Sequence, residues 1–90
     1  MARLGRRQIS ILAEAASEVS RACPWIPIDG DRRLVQSLVA RDMLGATEDL
    51  FGIMPKGCLE LRRHDRKLAR EAIAGLRRNA AENSVMPWDV

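Results

Sequence analysis

Tyrosine is missing from this chain altogether, histidine occurs once, and aromatic residues make up 3% of its 90 positions. Chemistry that needs a proton shuttle has little to work with in such an inventory. His64 stands without a Ser, Cys or carboxylate at a catalytic spacing, and there is no glycine-rich phosphate loop, paired-carboxylate signature or nucleophile motif. His64 therefore reads as a surface residue, and the chain as non-enzymatic, with no catalytic residue and no cofactor. Cysteine is scarce too. Cys23 and Cys58 lie 35 positions apart with no second pair, which excludes the spacings of a zinc site. No metal is expected, and both thiols read as small core residues. Nor is there a long apolar run. Nothing approaches the roughly 18 apolar residues of a membrane span. The stretch "ISILAEAA", behind Arg3, Arg6 and Arg7, is broken by Glu14 and leads to no cleavage region. These absences predict a cytoplasmic protein of a reducing compartment, with no membrane partner.

What is present is a globular composition, 47% hydrophobic and 30% charged. Ninety residues supply one core, expected over residues 1–83, with 84–90 as a tail. A domain of this size buries only about 60–65% of its unfolded surface. Pairing with a second copy would widen that thin margin. The net charge of +3 is unevenly spread. Residues 1–23 balance at +2, 24–45 at zero, 46–60 at −2, 61–78 at +5 and 79–90 at −2. The basicity is thus concentrated in one segment near the end. Thirteen of the 15 basic residues are arginine. Either a GC-rich coding sequence or the use of arginine's planar fork on phosphates and guanines gives that bias.

Along the chain, Ile9, Leu12, Ala13, Ala16, Val19 and Cys23 fall at helical spacing, and Pro24 ends the pattern. "PWIPIDGD" is confined by two prolines and reads as a short extended piece anchored by Trp25, Ile26 and Ile28. Asp29 and Asp31 are suitable N-caps for a second helix from Arg32. Leu34, Val35, Leu38, Val39 and Met43 give that helix its stripe, and Gly45 is placed to stop it after about fourteen residues. "LGATEDLFGIMP" predicts two strands, 44–47 and 51–54, with the 25–28 piece as a candidate third. Pro55 then opens a long C-terminal helix whose stripe is Leu61, Leu68, Ala72, Ile73 and Leu76. Gly75 would weaken it by about 1 kcal/mol relative to Ala. The expected class is mostly α with a small β-hairpin (α+β), three main helices and a sheet of two or three strands.

The order helix, extended piece, helix, two-strand wing, helix resembles a winged helix-turn-helix domain of the bacterial transcription-regulator kind. The residues that carry the resemblance are "LVQSLVARDMLG" followed by "DLFGIMPKGCLEL". Asp42-Met43-Leu44 loosely matches the Gly-Leu-Leu-like turn that ends the family's recognition helix. Met54-Pro55-Lys56-Gly57 matches its Thr-Pro-x-Gly helix start. The likeness covers roughly residues 7–62, with motifs of low to medium specificity. The chain departs from the pattern in three places. Six residues, Pro24–Asp29, stand where the family has a whole helix. Met54 replaces the capping Thr. The wing tip carries Glu48 and Asp49, which a phosphate backbone would repel.

The resemblance implies binding of double-stranded DNA, with the helix from Arg32 to Leu44 in the major groove. Arg33, Gln36, Ser37 and Arg41 would face base edges, since Arg pairs with guanine and Gln with adenine. Arg32 and Lys56 would hold phosphates. In the basic run "RRHDRKLAR", Arg62, Arg63, Arg66, Lys67 and Arg70 span more than one face, a collar that could neutralise phosphates without reading sequence, with Arg62, Arg63 and Arg66 as its expected DNA contacts. In a homodimer, half-sites would lie about 34 Å apart. The bland alternative is a set of solvated helix faces. A functional alternative is a winged-helix-like adaptor that binds protein, or pairs with itself, through the C-terminal helix. The Leu61–Leu76 stripe suits either a dimer seam or folding back on the first helix.

Overall fold

The computed structural model describes residues 4–21, 25–28, 30–47 and 49–83, with side chains as far as residue 80. The readings made at Cys23, Pro24, Asp29, Glu48 and the tail 84–90 with Trp88 lie outside the described residues. Helix α1 (Arg6–Ser20) buries Leu12, Ala16 and Val19 as expected, but its buried face is rotated to take in Ile11 and Ala15, leaving Ile9 and Ala13 half-buried. Its start is closed by the Gly5 N–H, which donates to Gln8 Oε1 at 2.8 Å. At its other end the Arg78 guanidinium donates to the Ser20 carbonyl at 3.2 Å, serving one of the acceptors a helix end leaves open.

Three strands form one antiparallel sheet. β1 (Ile26–Pro27) and β2 (Leu44–Ala46) flank the central β3 (Leu50–Ile53), giving the order β1-β3-β2. Ile26 and Ala46 both stand opposite Phe51, and Leu44 stands opposite Ile53. The candidate third strand is therefore present, and Pro27 sits on an edge, where its missing N–H breaks no interior ladder. Thr47 N–H donates to the Leu50 carbonyl at 2.9 Å and closes the hairpin.

Helix α2 (Arg32–Ala40) has nine residues and stops short of the expected length. Gly45 is not its stop, because an earlier signal ends it. Asp42 takes a left-handed φ of 61°. Its N–H donates to the Val39 carbonyl and that of Met43 to the Leu38 carbonyl, both at 3.0 Å. This is a Schellman ending with aspartate in the usual glycine position, which a short polar side chain tolerates. Gly45 is thereby released into β2, opposite Gly52. Asp31 occupies the N-cap position of α2 but makes no side-chain cap there. Its carboxylate instead accepts from Arg7 at the start of α1.

The single long C-terminal helix is also a correction. It is two helices, α3 (Pro55–Leu61) and α4 (Arg66–Asn83), so the described residues hold four helices rather than three. The His64 and Asp65 N–H groups both turn back to the Leu61 carbonyl at 2.8 Å. Asp65 then caps the new helix, its Oδ1 accepting from the Leu68 N–H at 3.0 Å. Met54 opens α3 without a side-chain cap, as expected, and Pro55 occupies the first turn.

The core gathers Leu12, Val19, Leu38, Leu44, Ile53, Cys58 and Leu61, all fully enclosed. α1 lies at its centre, against β3, α2, α3 and above all α4. Of the expected stripe Leu68 and Ile73 are half-buried against the core, while Leu61, Ala72 and Leu76 are buried within the chain, with Ala69 beside them. Asn79 joins them at 3% exposure, and its Nδ2 finds no partner among the described residues. Two glycines allow close approach. A Cβ on Gly57 would lie 2.2 Å from the Met43 carbonyl oxygen, and one on Gly75 2.4 Å from that of Val19. Gly75 is thus a contact rather than a weakness. In an open helix Gly75→Ala would stabilise by about 1 kcal/mol. Here it is expected to destabilise by about 1–3 kcal/mol, read as a lower urea midpoint; a raised midpoint would disprove the close approach. Asp65→Ala is expected to cost about 1 kcal/mol in the same measurement through loss of the α4 cap.

Candidate nucleic-acid interface

The residues expected to contact DNA fall into two groups on different elements. The first is on α2, which packs against β2 and α1. Its buried side carries Val35 and Leu38. Arg33 and Gln36, one turn apart, are exposed on the opposite side. Arg32 is exposed as well, with its guanidinium 3.6 Å from the Asp49 carboxylate in the β2–β3 connection. An exposed pair at that distance contributes little to stability. Ser37 is differently placed. Its hydroxyl is half-buried, donates to the Leu34 carbonyl at 2.7 Å and accepts from Gln8 Nε2 at 3.1 Å. Arg41 is half-buried at the C-cap of α2 and has an interaction partner. Within this group, then, Arg33 and Gln36 are the side chains turned to solvent with unused donors and acceptors. Lys56 is exposed in the first turn of α3.

The second group surrounds the junction of α3 and α4. Arg62, Arg66, Arg70, Ile73, Ala74 and Arg77 line a groove of about 370 Å³. A neighbouring hollow of about 250 Å³ is lined by Leu59, Arg62, Arg63 and Arg66. Two arginines shared between the two cavities make one continuous basic strip. No carboxylate lines either cavity. Asp65 is committed to its cap, and the two described ion pairs, Arg7–Asp31 and Arg32–Asp49, lie elsewhere. Leu59 is 57% exposed beside these arginines.

The sequence suggested a collar spanning more than one face. The break at 62–65 is what converts it into a strip. It detaches Arg62 and Arg63 from α4 and leaves Arg66, Arg70 and Arg77 within an arc of about 40° on one flank, at 100° per residue. Arg70 belonged to the expected collar, whereas Arg77 was not expected at all. Their i, i+4, i+11 spacing from Arg66 was the available signal, readable once Asp65 is taken as the helix start.

Among the described residues no three His, Cys, Asp or Glu side chains converge as a metal site would require, and no helix is long and apolar enough to cross a membrane. His64 is exposed. No family model, no curated protein and no solved structure matches the chain. The architecture is that of a small, mostly helical α+β domain with a three-stranded antiparallel sheet.

Cys58 is the one described group with a displaced ionisation. Burial pushes its thiol up to about 11, because the enclosure disfavours the thiolate. The protonated form therefore belongs to the folded state. This contribution to stability is complete below the unfolded thiol value and is lost as pH rises from 9.0 through about 11. In a Cys23→Ser background, Cys58 is expected to resist a thiol reagent at about pH 8 until urea unfolds the chain. Rapid modification of the folded protein would contradict its enclosure.

Proposed function

We propose that the chain is a small DNA-binding protein, regulatory in kind and winged-helix-like in plan, with α2 as its reading helix. The observation that carries this reading is the exposed Arg33–Gln36 pair, set opposite the buried stripe of α2 and next to the hairpin. Support comes also from the order α1-β1-α2-β2-β3 and the sheet order β1-β3-β2. In this order α2 comes directly before the β2–β3 hairpin, as a reading helix would precede a wing. In this reading Arg33 meets guanine and Gln36 adenine in the major groove. Arg32 leaves Asp49 for a phosphate, and Lys56, Arg62, Arg63 and Arg66 hold the backbone. Ser37 and Arg41 aim the helix from its inner side and its end.

A protein-binding adaptor is the second reading. Leu59, 57% exposed, and Asp49, its side chain 83% exposed at the wing tip, favour it. Selection from a randomised duplex pool decides between them. The DNA reading expects an enriched motif. Arg33→Ala and Gln36→Ala should each relax one position of that motif at a cost of about 1–3 kcal/mol. A pool that emerges unenriched at low salt would leave the adaptor standing.

A further inference from the structure

The geometry points to a cradle for the phosphate backbone of duplex nucleic acid in the groove of α4, with Arg62, Arg66, Arg70 and Arg77 as the holding residues. This rests on the DNA-binding reading and gives α4 the part of it that is indifferent to sequence. Four guanidiniums open into one groove, and none has a hydrogen-bond or ion-pair partner among the described residues. Like charges brought together without an internal counterion call for an external one.

Shape and spacing narrow the choice of anion. Arg66 and Arg77 are eleven residues apart, which is about 16 Å along a helix. One strand of a duplex advances about 3.4 Å per phosphate along its axis while winding around it, so a straight row of this length meets a short run of neighbouring phosphates before the strand turns away. Arginine's planar fork engages phosphate oxygens in pairs. The uncharged floor of Ile73 and Ala74 lets a ribbon settle between the guanidiniums. The adjoining hollow, with Arg62, Arg63 and Arg66, prolongs the track past the start of α4. An acidic helix of a partner protein would need a row of apolar anchors, and the groove and hollow together supply only a half-buried isoleucine, an alanine and the lone Leu59.

The test is fluorescence polarisation of a random-sequence duplex with the full chain, across about 50–200 mM salt. Arg70→Gln/Arg77→Gln is expected to weaken binding at least tenfold. It should also make the slope of log affinity against log salt shallower by about 1.8, at 0.9 per contact. Arg70→Lys/Arg77→Lys should retain the slope. Arg6→Gln/Arg21→Gln, which removes the same charge from exposed positions at the two ends of α1, should leave both readouts near wild type. Equal losses in the α1 and α4 Gln variants would reduce the effect to net charge and overturn the cradle. So would an unchanged slope in the α4 variant, or a wild-type chain that ignores duplex yet holds a polyglutamate peptide through Arg70 and Arg77. Arg33→Ala/Gln36→Ala keeps the two proposals separate. Loss of motif preference at a full salt slope supports the reader whatever happens at α4. Retained preference with a slope that depends on α4 would remove the reader and keep the cradle.

Discussion

The contact on which most of this molecule depends is one between main chains. Gly75 offers no side chain, and so α4 comes down onto the Val19 carbonyl of α1 at a distance no Cβ would permit. Ala15, Ala16, Ala69 and Ala72 are buried as well. Small residues trade contact area for proximity, and proximity fixes how α4 is rolled about its own axis. With the buried side settled, the arginine flank about a third of a turn away has nowhere to face except solvent. The same α1 supports β3, α3 and α2. Arg7 and Gln8 in its first turn hold Asp31 and Ser37, and so set the tilt of the second helix.

Those contacts give the two basic surfaces different electrical characters. Around α2 the cations have carboxylates nearby: Arg7 with Asp31, Arg32 with Asp49. The local field is weak, and what remains distinctive is hydrogen-bonding chemistry at Arg33 and Gln36. Along α4 the reverse holds. On its arginine flank positive charge gathers with no carboxylate in the groove, and there is little besides arginine with which to discriminate. A surface of the first sort suits selectivity and one of the second suits attraction.

Much of the architecture was legible where a pattern is local. The period of α1, the prolines around β1, the hairpin and the proline-led start of α3 each announce themselves within a few residues. The two corrections share a cause. Both Asp42 and Asp65 end or begin a helix by conformation or capping, whereas the sequence shows only another charged residue inside a helical period. Reading Gly45 as the stop obeyed a sound preference, but the left-handed turn at Asp42 had already been taken three residues earlier. Site residues were harder to judge, because exposure is decided by packing between distant segments. Nothing near Ser37 in the chain announces Gln8, which lies 29 positions away. Gly75 likewise looked like a defect until Val19 was seen beneath it.

The shape of the sheet has one last consequence. Its outer strands are two and three residues long, and one of them contains Pro27. A foreign strand arriving at that margin would find too few open amides to grip. Strand addition is therefore disfavoured at that margin, and the edge needs no helix laid over it to discourage a passing chain.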